Sequence, residues 1–242
     1  MSWKNDQVSE GETKEIVRLA REQLAVLGDF VEMGCYKGDT SLLLAEVLQC
    51  GARLRQEVRG STLVTSDEIP EKLDGDRASD TDVEKPVENF EKRLWIYDSF
   101  EGLPEKGEAD KSVVGEEFRG GELVVTKREV KERFLRAGLK LPIIKKAWFS
   151  ELTDADMPEK IALAFLDGDF YESIRDSLKL VGSKMARDGI IIVHDYNNPA
   201  LPGVAKAVDE WNASGEWGMQ VFETMVILRK SSSKSVGGQR IL

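Results

Sequence analysis

The run ALAFLDGDFYESI, residues 162–174, leads an apolar stretch straight into Asp167 and Asp169, with Glu172 following. A carboxylate at the end of a buried strand is costly unless it is paired, solvated or bound to a cation. Asp169 and Glu172 have capping-box spacing, which assigns Asp169 to the N-cap of the next helix. Asp167 has no such local role and should point into the crevice beyond the strand. A second run, IIIVHDYNN, brings His194 and Asp195 to the end of an adjacent strand. Asp167 and Asp195, with nearby neutral oxygens, make a hard-cation site of the Mg²⁺ type that water and substrate oxygens would complete. The competing reading of HDYNNP is turn chemistry alone. His194, the only histidine in the chain, suits a general base or a ligand, and equally a satisfied structural group.

Two further stretches have the composition of a ligand turn. FVEMGCYKGDT puts Gly34 and Gly38 between a strand and a helix, where a backbone without Cβ atoms lets a ligand approach. The G-x-x-x-G spacing is not the G-x-G-x-x-G of dinucleotide folds, and a tight strand-to-helix turn explains it as well. In LWIYDSFEG, Asp98 ends a strand, where an acid can accept hydrogen bonds from ribose hydroxyls or can cap the loop that follows. Trp148 and Phe149 either flank an adenine or join the core. Cys35 and Tyr36 are assigned to packing.

These residues need strands that end together. DFVEMG, RLWIYD, LPIIKKAWF, KIALAFLD and GIIIVHD read as strands, and helices alternate with them. That alternation predicts a mainly parallel sheet with helices on both faces, in which ligands collect beyond the C-terminal strand ends. Glu32, Asp98, Asp167 and Asp195 would then share one edge. Residues 13–27 form an N-terminal helix ended by Gly28, and DTSLLLAEVL a second helix. Thr126, Glu129 and Gly138 bracket another helix, and Pro202 opens the last. Two strand-like runs on either side of Glu223 and Thr224 predict an antiparallel hairpin. The charge-rich segment 51–92 reads as a mobile acidic insertion, SFEGLPEKGEADKSVVGEEFRGG as a lid-like loop, and residues 231–242 as a flexible tail to a single domain spanning 1–230.

A formal charge of −10 argues against nucleic-acid or anionic-membrane partners, because the field repels polyanions. No run approaches a membrane span, and MSWKNDQVSEGE lacks the features of a signal peptide, so a cytoplasmic location is expected. Cys35 and Cys50 form no disulfide framework or metal knuckle.

Taken in order, GDFVEMGCYKGDTSLLLAEVL, LWIYDSFEGLPE, VKERFLRAGL, KAWFSELT, FLDGDFYESIRDSL and DGIIIVHDYNNPALPGVAKAVDEW make a chain that resembles the TylF-type macrocin O-methyltransferase family, within the class I S-adenosylmethionine-dependent methyltransferases. The resemblance covers Gly28 to Trp211. It implies a Rossmann-like fold with a seven-stranded sheet and an antiparallel final hairpin. It implies that Glu32, Gly34 and Gly38 hold the methionine part of S-adenosyl-L-methionine, that Asp98 binds ribose, and that Ser99 and Phe100 lie near the adenosine. It also implies that Asp167 and Asp195 bind Mg²⁺, with His194 replacing the first acid of the family's DDY motif as an auxiliary ligand or base. The implied acceptor is a hydroxyl on a sugar or other polyol-bearing small molecule, and family members often assemble through the N-terminal region, so a homo-oligomer is open.

Three departures stand against that pattern. The acid pair is one carboxylate short, no histidine base lies upstream, and Gly34 and Asp98 are unusually far apart. The base falls to His194, to a lysine such as Lys145 or Lys146, or to hydroxide on the metal, or is dispensable. The rivals are a methyltransferase that needs no metal, a non-catalytic cofactor-binding interaction module and, least supported by its glycines, a nicotinamide oxidoreductase.

Overall fold

The computed structural model describes residues 7–61, 91–114 and 118–230. Seven strands, β1 (Asp29–Met33), β2 (Leu94–Asp98), β3 (Ile143–Lys146), β4 (Ile161–Leu166), β5 (Met185–Val193), β6 (Trp217–Phe222) and β7 (Met225–Lys230), form one sheet in the order β3-β2-β1-β4-β5-β7-β6. The first five pair in parallel, and β7 runs antiparallel to both β5 and β6. The helices are α1 (Glu10–Glu22), α2 (Asp39–Ser61), α3 (Lys127–Ala137), α4 (Tyr171–Gly182) and α5 (Pro202–Trp211).

Side chains alternate across a strand, so each apolar run feeds two cores. Phe30, Leu163, Phe165, Ile190 and Ile192 pack with Ile16 and Leu19 of α1, Leu42 and Leu48 of α2 and Phe134 of α3. Val31, Met33, Ala164, Leu166, Ile191 and Val193 pack on the other face with Ile174 and Leu178 of α4 and Val204 and Val208 of α5. The central strands are buried on both faces, which is why β4 is continuously apolar, while β1 carries the buried acids Asp29 and Glu32 among its apolar residues. Chain direction reverses its march across the sheet at β1, between β2 and β4, and the ligand crevice of such a sheet opens there. Backbone pairing continues past the strand ends, with Gly34 N donating to the Tyr97 carbonyl, Asp167 N to that of Met33 and His194 N to that of Leu166.

Some boundaries differ from the sequence reading. The N-terminal helix starts at Glu10, because Ser9 and Glu12 form a reciprocal capping box, and it passes into a short 3₁₀ turn at Gln23–Ala25 instead of running to residue 27. The segment assigned to the insertion from residue 51 begins as helix: α2 continues to Ser61, and Gly51 is buried where Leu24 leaves no room for a side chain. Its other end is also anchored, since Lys92 is buried and donates to the Val26 and Gly28 carbonyls, while Asp29 accepts from Arg93 and Trp95. A charged composition does not distinguish a loop from a helix that exposes one face. Residues 62–90 and the tail 231–242 lie outside the described residues. Among the described residues no helix is long and apolar enough to cross a membrane.

Candidate active site

At the end of β1 the chain must turn sharply into α2. Gly34 has φ of +86°, and a Cβ there would lie 2.0 Å from the Asp167 carbonyl oxygen, so the close approach of two strand ends excludes any larger residue. Tyr36 and Gly38 also have positive φ, and Gly38 N donates to the Cys35 carbonyl. Asp98 holds this turn from the neighbouring strand. Its Oδ2 accepts from the Cys35 and Tyr36 amides at 2.9 and 3.3 Å, and its Oδ1 accepts from Phe100 N at 2.7 Å. The acid therefore caps its own loop and also fixes the glycine turn. Ser99 donates to the Gly102 carbonyl and accepts from Glu101 N. Glu32 lies beneath the turn, buried and receiving a hydrogen bond from Ser41. Burial, with the charges of Asp167, Asp98 and Asp39, pushes its carboxyl well above the usual range.

The ends of β4 and β5 are built differently. Asp169 and Asp195 both adopt positive φ, unusual for residues with a side chain. His194 is 5% exposed, and its Nδ1 lies 3.1 Å from Asp167 Oδ1 and 3.0 Å from Asp195 Oδ2. Its Nε2 lies 3.7 Å from Oε2 of Glu12, on α1. Burial alone would favour a neutral imidazole, but Asp167, Asp195 and Glu12 outweigh it and hold the ring protonated. One ring nitrogen and two carboxylate oxygens, all within 4.8 Å of one another, form a cluster of the size a cation would occupy.

Asp169 is not the N-cap of α4. Phe170 takes that place without a side-chain bond, and the Tyr171 amide donates to Asp110 Oδ1 from the lid-like loop instead. The positive φ of Asp169 turns its side chain away from the helix and into the pocket. There burial, followed by the charges of Asp167 and Asp195, raises its carboxyl well above the usual range, and it has no hydrogen-bond partner among the described residues.

One pocket joins the two halves. Gly34, Asp98, Ser99, Asp167, His194 and Asp195 line it with Tyr36 and Asp169, and Leu103, Leu123, Trp148 and Phe149 form an apolar wall. Glu32 lines a smaller adjoining pocket that shares Gly34, Tyr36 and Asp167. Gly38 and Phe100 stand back from both: Gly38 packs toward Val130 and Ser41, and Phe100 joins the core. Lys145 pairs with Asp156 and Lys146 with Glu101, and neither lines the pocket, which leaves no lysine base there among the described residues. Sequence reasoning missed the pocket role of Asp169 because its capping-box spacing gave it another. It missed Glu12 because S-x-x-E reports a helix start and not what the glutamate reaches in the fold.

Residues 83–223 match the family model described as Macrocin-O-methyltransferase (TylF). A curated relative in Streptomyces olivaceus, 8-demethyl-8-(2,3-dimethoxy-alpha-L-rhamnosyl)-tetracenomycin-C 4'-O-methyltransferase, is 28% identical over 80% of this chain and 60% of its own length. A second, demethyldecarbamoylnovobiocin O-methyltransferase of Streptomyces niveus, is 26% identical over 78% of this chain and 59% of its own. The chain thus spans about three fifths of the length of the curated relatives it matches. Among solved structures, the O-methyltransferase NovP superposes with a TM-score of 0.66 at 21% identity, covering 94% of this chain and 84% of that one. That likeness speaks to the fold, which is Rossmann-like and of the class I methyltransferase type.

Proposed function

The chain belongs to the macrocin-O-methyltransferase (TylF) family, and we propose that it is an S-adenosylmethionine-dependent O-methyltransferase acting, with a divalent cation, on a hydroxyl of a sugar or other polyol-bearing small molecule. The observation that carries this reading is the shared pocket, in which a glycine turn fixed by Asp98 faces the Asp167, His194 and Asp195 cluster. The names of the relatives support a sugar or natural-product hydroxyl as acceptor.

When bound, S-adenosylmethionine supplies an electrophilic methyl group, and the cation supplies a Lewis acid and a template for acceptor oxygens. The protein's own part is positioning and proton handling. Asp98 holds the Cys35 and Tyr36 amides in place, so the turn needs no reordering when the donor arrives. The apolar wall of Leu103, Leu123, Trp148 and Phe149 keeps water from the reacting atoms. Asp169, unpartnered and facing the pocket, takes the acceptor's proton on a carboxylate oxygen as the oxygen–methyl bond forms and the sulfur–methyl bond breaks. Asp167, His194 and Asp195 would hold the cation, His194 after giving up its Nδ1 proton, and that donor set fits a divalent ion. The Mg²⁺ suggested by the sequence fits less well, because one of the three donors is nitrogen.

A second reading, methyl transfer without metal, is favoured by His194 itself, whose protonated ring already balances Asp167 and Asp195. Turnover unchanged in excess chelator would select it. The principal reading is tested by calorimetric titration of S-adenosylmethionine, S-adenosylhomocysteine and NAD into the wild type and Asp167→Asn, alongside turnover. Both adenosyl ligands should bind and NAD should not; Asp167→Asn should abolish turnover and keep cofactor affinity near wild type. No adenosyl binding by the wild type would overturn the assignment.

A further inference from the structure

Glu12 belongs to the N-terminal helix, yet its carboxylate is buried against the end of β5, 3% exposed. Three elements meet on it. Oε1 accepts from the backbone amide and hydroxyl of Thr224 in the β6–β7 turn, Oε2 accepts from Ser9 N, and Oε2 also lies 3.7 Å from His194 Nε2. These contacts fix the carboxylate opposite Nε2. An anion facing Nε2 keeps a proton on that nitrogen. The other nitrogen, Nδ1, is then the atom presented to Asp167 and Asp195. A ring whose far N–H faces a carboxylate, and whose near nitrogen faces a cluster of acids, is arranged as metal-binding histidines are, with the outer carboxylate setting ring orientation and donor strength.

We infer that Glu12 is a positioning residue for His194, and that the resulting one-nitrogen, two-carboxylate site takes a first-row transition ion such as Mn²⁺ or Co²⁺ ahead of Mg²⁺. This deepens the cation reading above and rests on it. The physical reason is the donor set. Mg²⁺ favours oxygen donors and an undistorted octahedron, whereas imidazole suits the transition ions, for which nitrogen donors raise affinity. An aspartate in place of His194 would supply a third oxygen donor and favour Mg²⁺. Glu12 has no side chain to steer in that case.

The test uses the full chain stripped with chelator, with Mn²⁺ as the probe. Free Mn²⁺ is followed by electron paramagnetic resonance, Mg²⁺ is added as competitor, and Co²⁺ is titrated separately by its visible absorption. Wild-type protein should bind Mn²⁺ well ahead of Mg²⁺, and His194→Asp should lower that Mn²⁺ to Mg²⁺ preference about 10-fold or more. Glu12→Gln, which keeps acceptors for Thr224, should weaken Mn²⁺ binding about 10- to 100-fold, and circular dichroism confirms its fold. A preference unchanged in His194→Asp would overturn the choice of ion. Mn²⁺ affinity unchanged in folded Glu12→Gln would overturn the positioning role. Should Glu12→Gln not fold, Glu12→Asp, which keeps the anion but withdraws it from Nε2, should weaken Mn²⁺ binding, and unchanged affinity there would overturn the same role. Absence of any metal binding, with S-adenosylmethionine still bound, would remove the cation and leave the methyltransferase assignment standing.

Discussion

The two halves of the pocket treat their acids in opposite ways. On the glycine-turn side, Asp98 is satisfied by backbone amides of the turn and of its own loop. On the β4–β5 side, Asp167 and Asp195 flank one imidazole, and Asp169, its carboxyl pushed up by burial and by their charges, is left with no hydrogen-bond partner among the described residues. A satisfied region is preorganised and contributes to stability. A crowded, half-satisfied one costs stability and is kept for chemistry.

That contrast can be broken most forcefully at Gly34. Gly34→Ala forces a side chain into a left-handed position and against the Asp167 carbonyl, so thermal or denaturant unfolding should show a loss of at least about 3 kcal/mol, with cofactor binding lost as well. Asp98→Asn is milder. Its amide group must set a donor against either the Cys35 and Tyr36 amides or that of Phe100, and stability should fall by about 1–3 kcal/mol. Cofactor affinity, measured by calorimetry, should drop with it. Asp169→Asn should act in the other direction: it removes an unpartnered carboxyl from beside two other acids, so the metal-free protein should gain about 1 kcal/mol while turnover is lost. Destabilisation by Asp169→Asn would erase the distinction between the two halves.

Much of this was legible in the chain. The apolar strands, the Thr126 and Gly138 helix brackets, Pro202 at the start of α5 and the hairpin about Glu223 and Thr224 all express local rules, period and punctuation, that the structure repeats. The boundaries that moved had competing local signals. The charge-rich composition from residue 51 suggested an insertion, but Gly51 packs against Leu24 and the helix runs on to Ser61. Asp169 carried a capping signal that the turn geometry before α4 overrode, and Asp110, sixty-one residues earlier, supplied the acceptor for Tyr171 N.

The sequence by itself determined the parallel sheet, its antiparallel end and the edge on which Asp98, Asp167 and Asp195 gather, because side-chain period and strand-end position are properties of a local stretch. Only the tertiary structure decided what those acids meet. Asp98 reaching the Cys35 amide, His194 lying between two aspartates, and Glu12 crossing from the first helix to the last strand turn are contacts between residues far apart in the chain. No local pattern encodes them, since they arise when separate elements are packed into one core and their buried polar groups must find partners there.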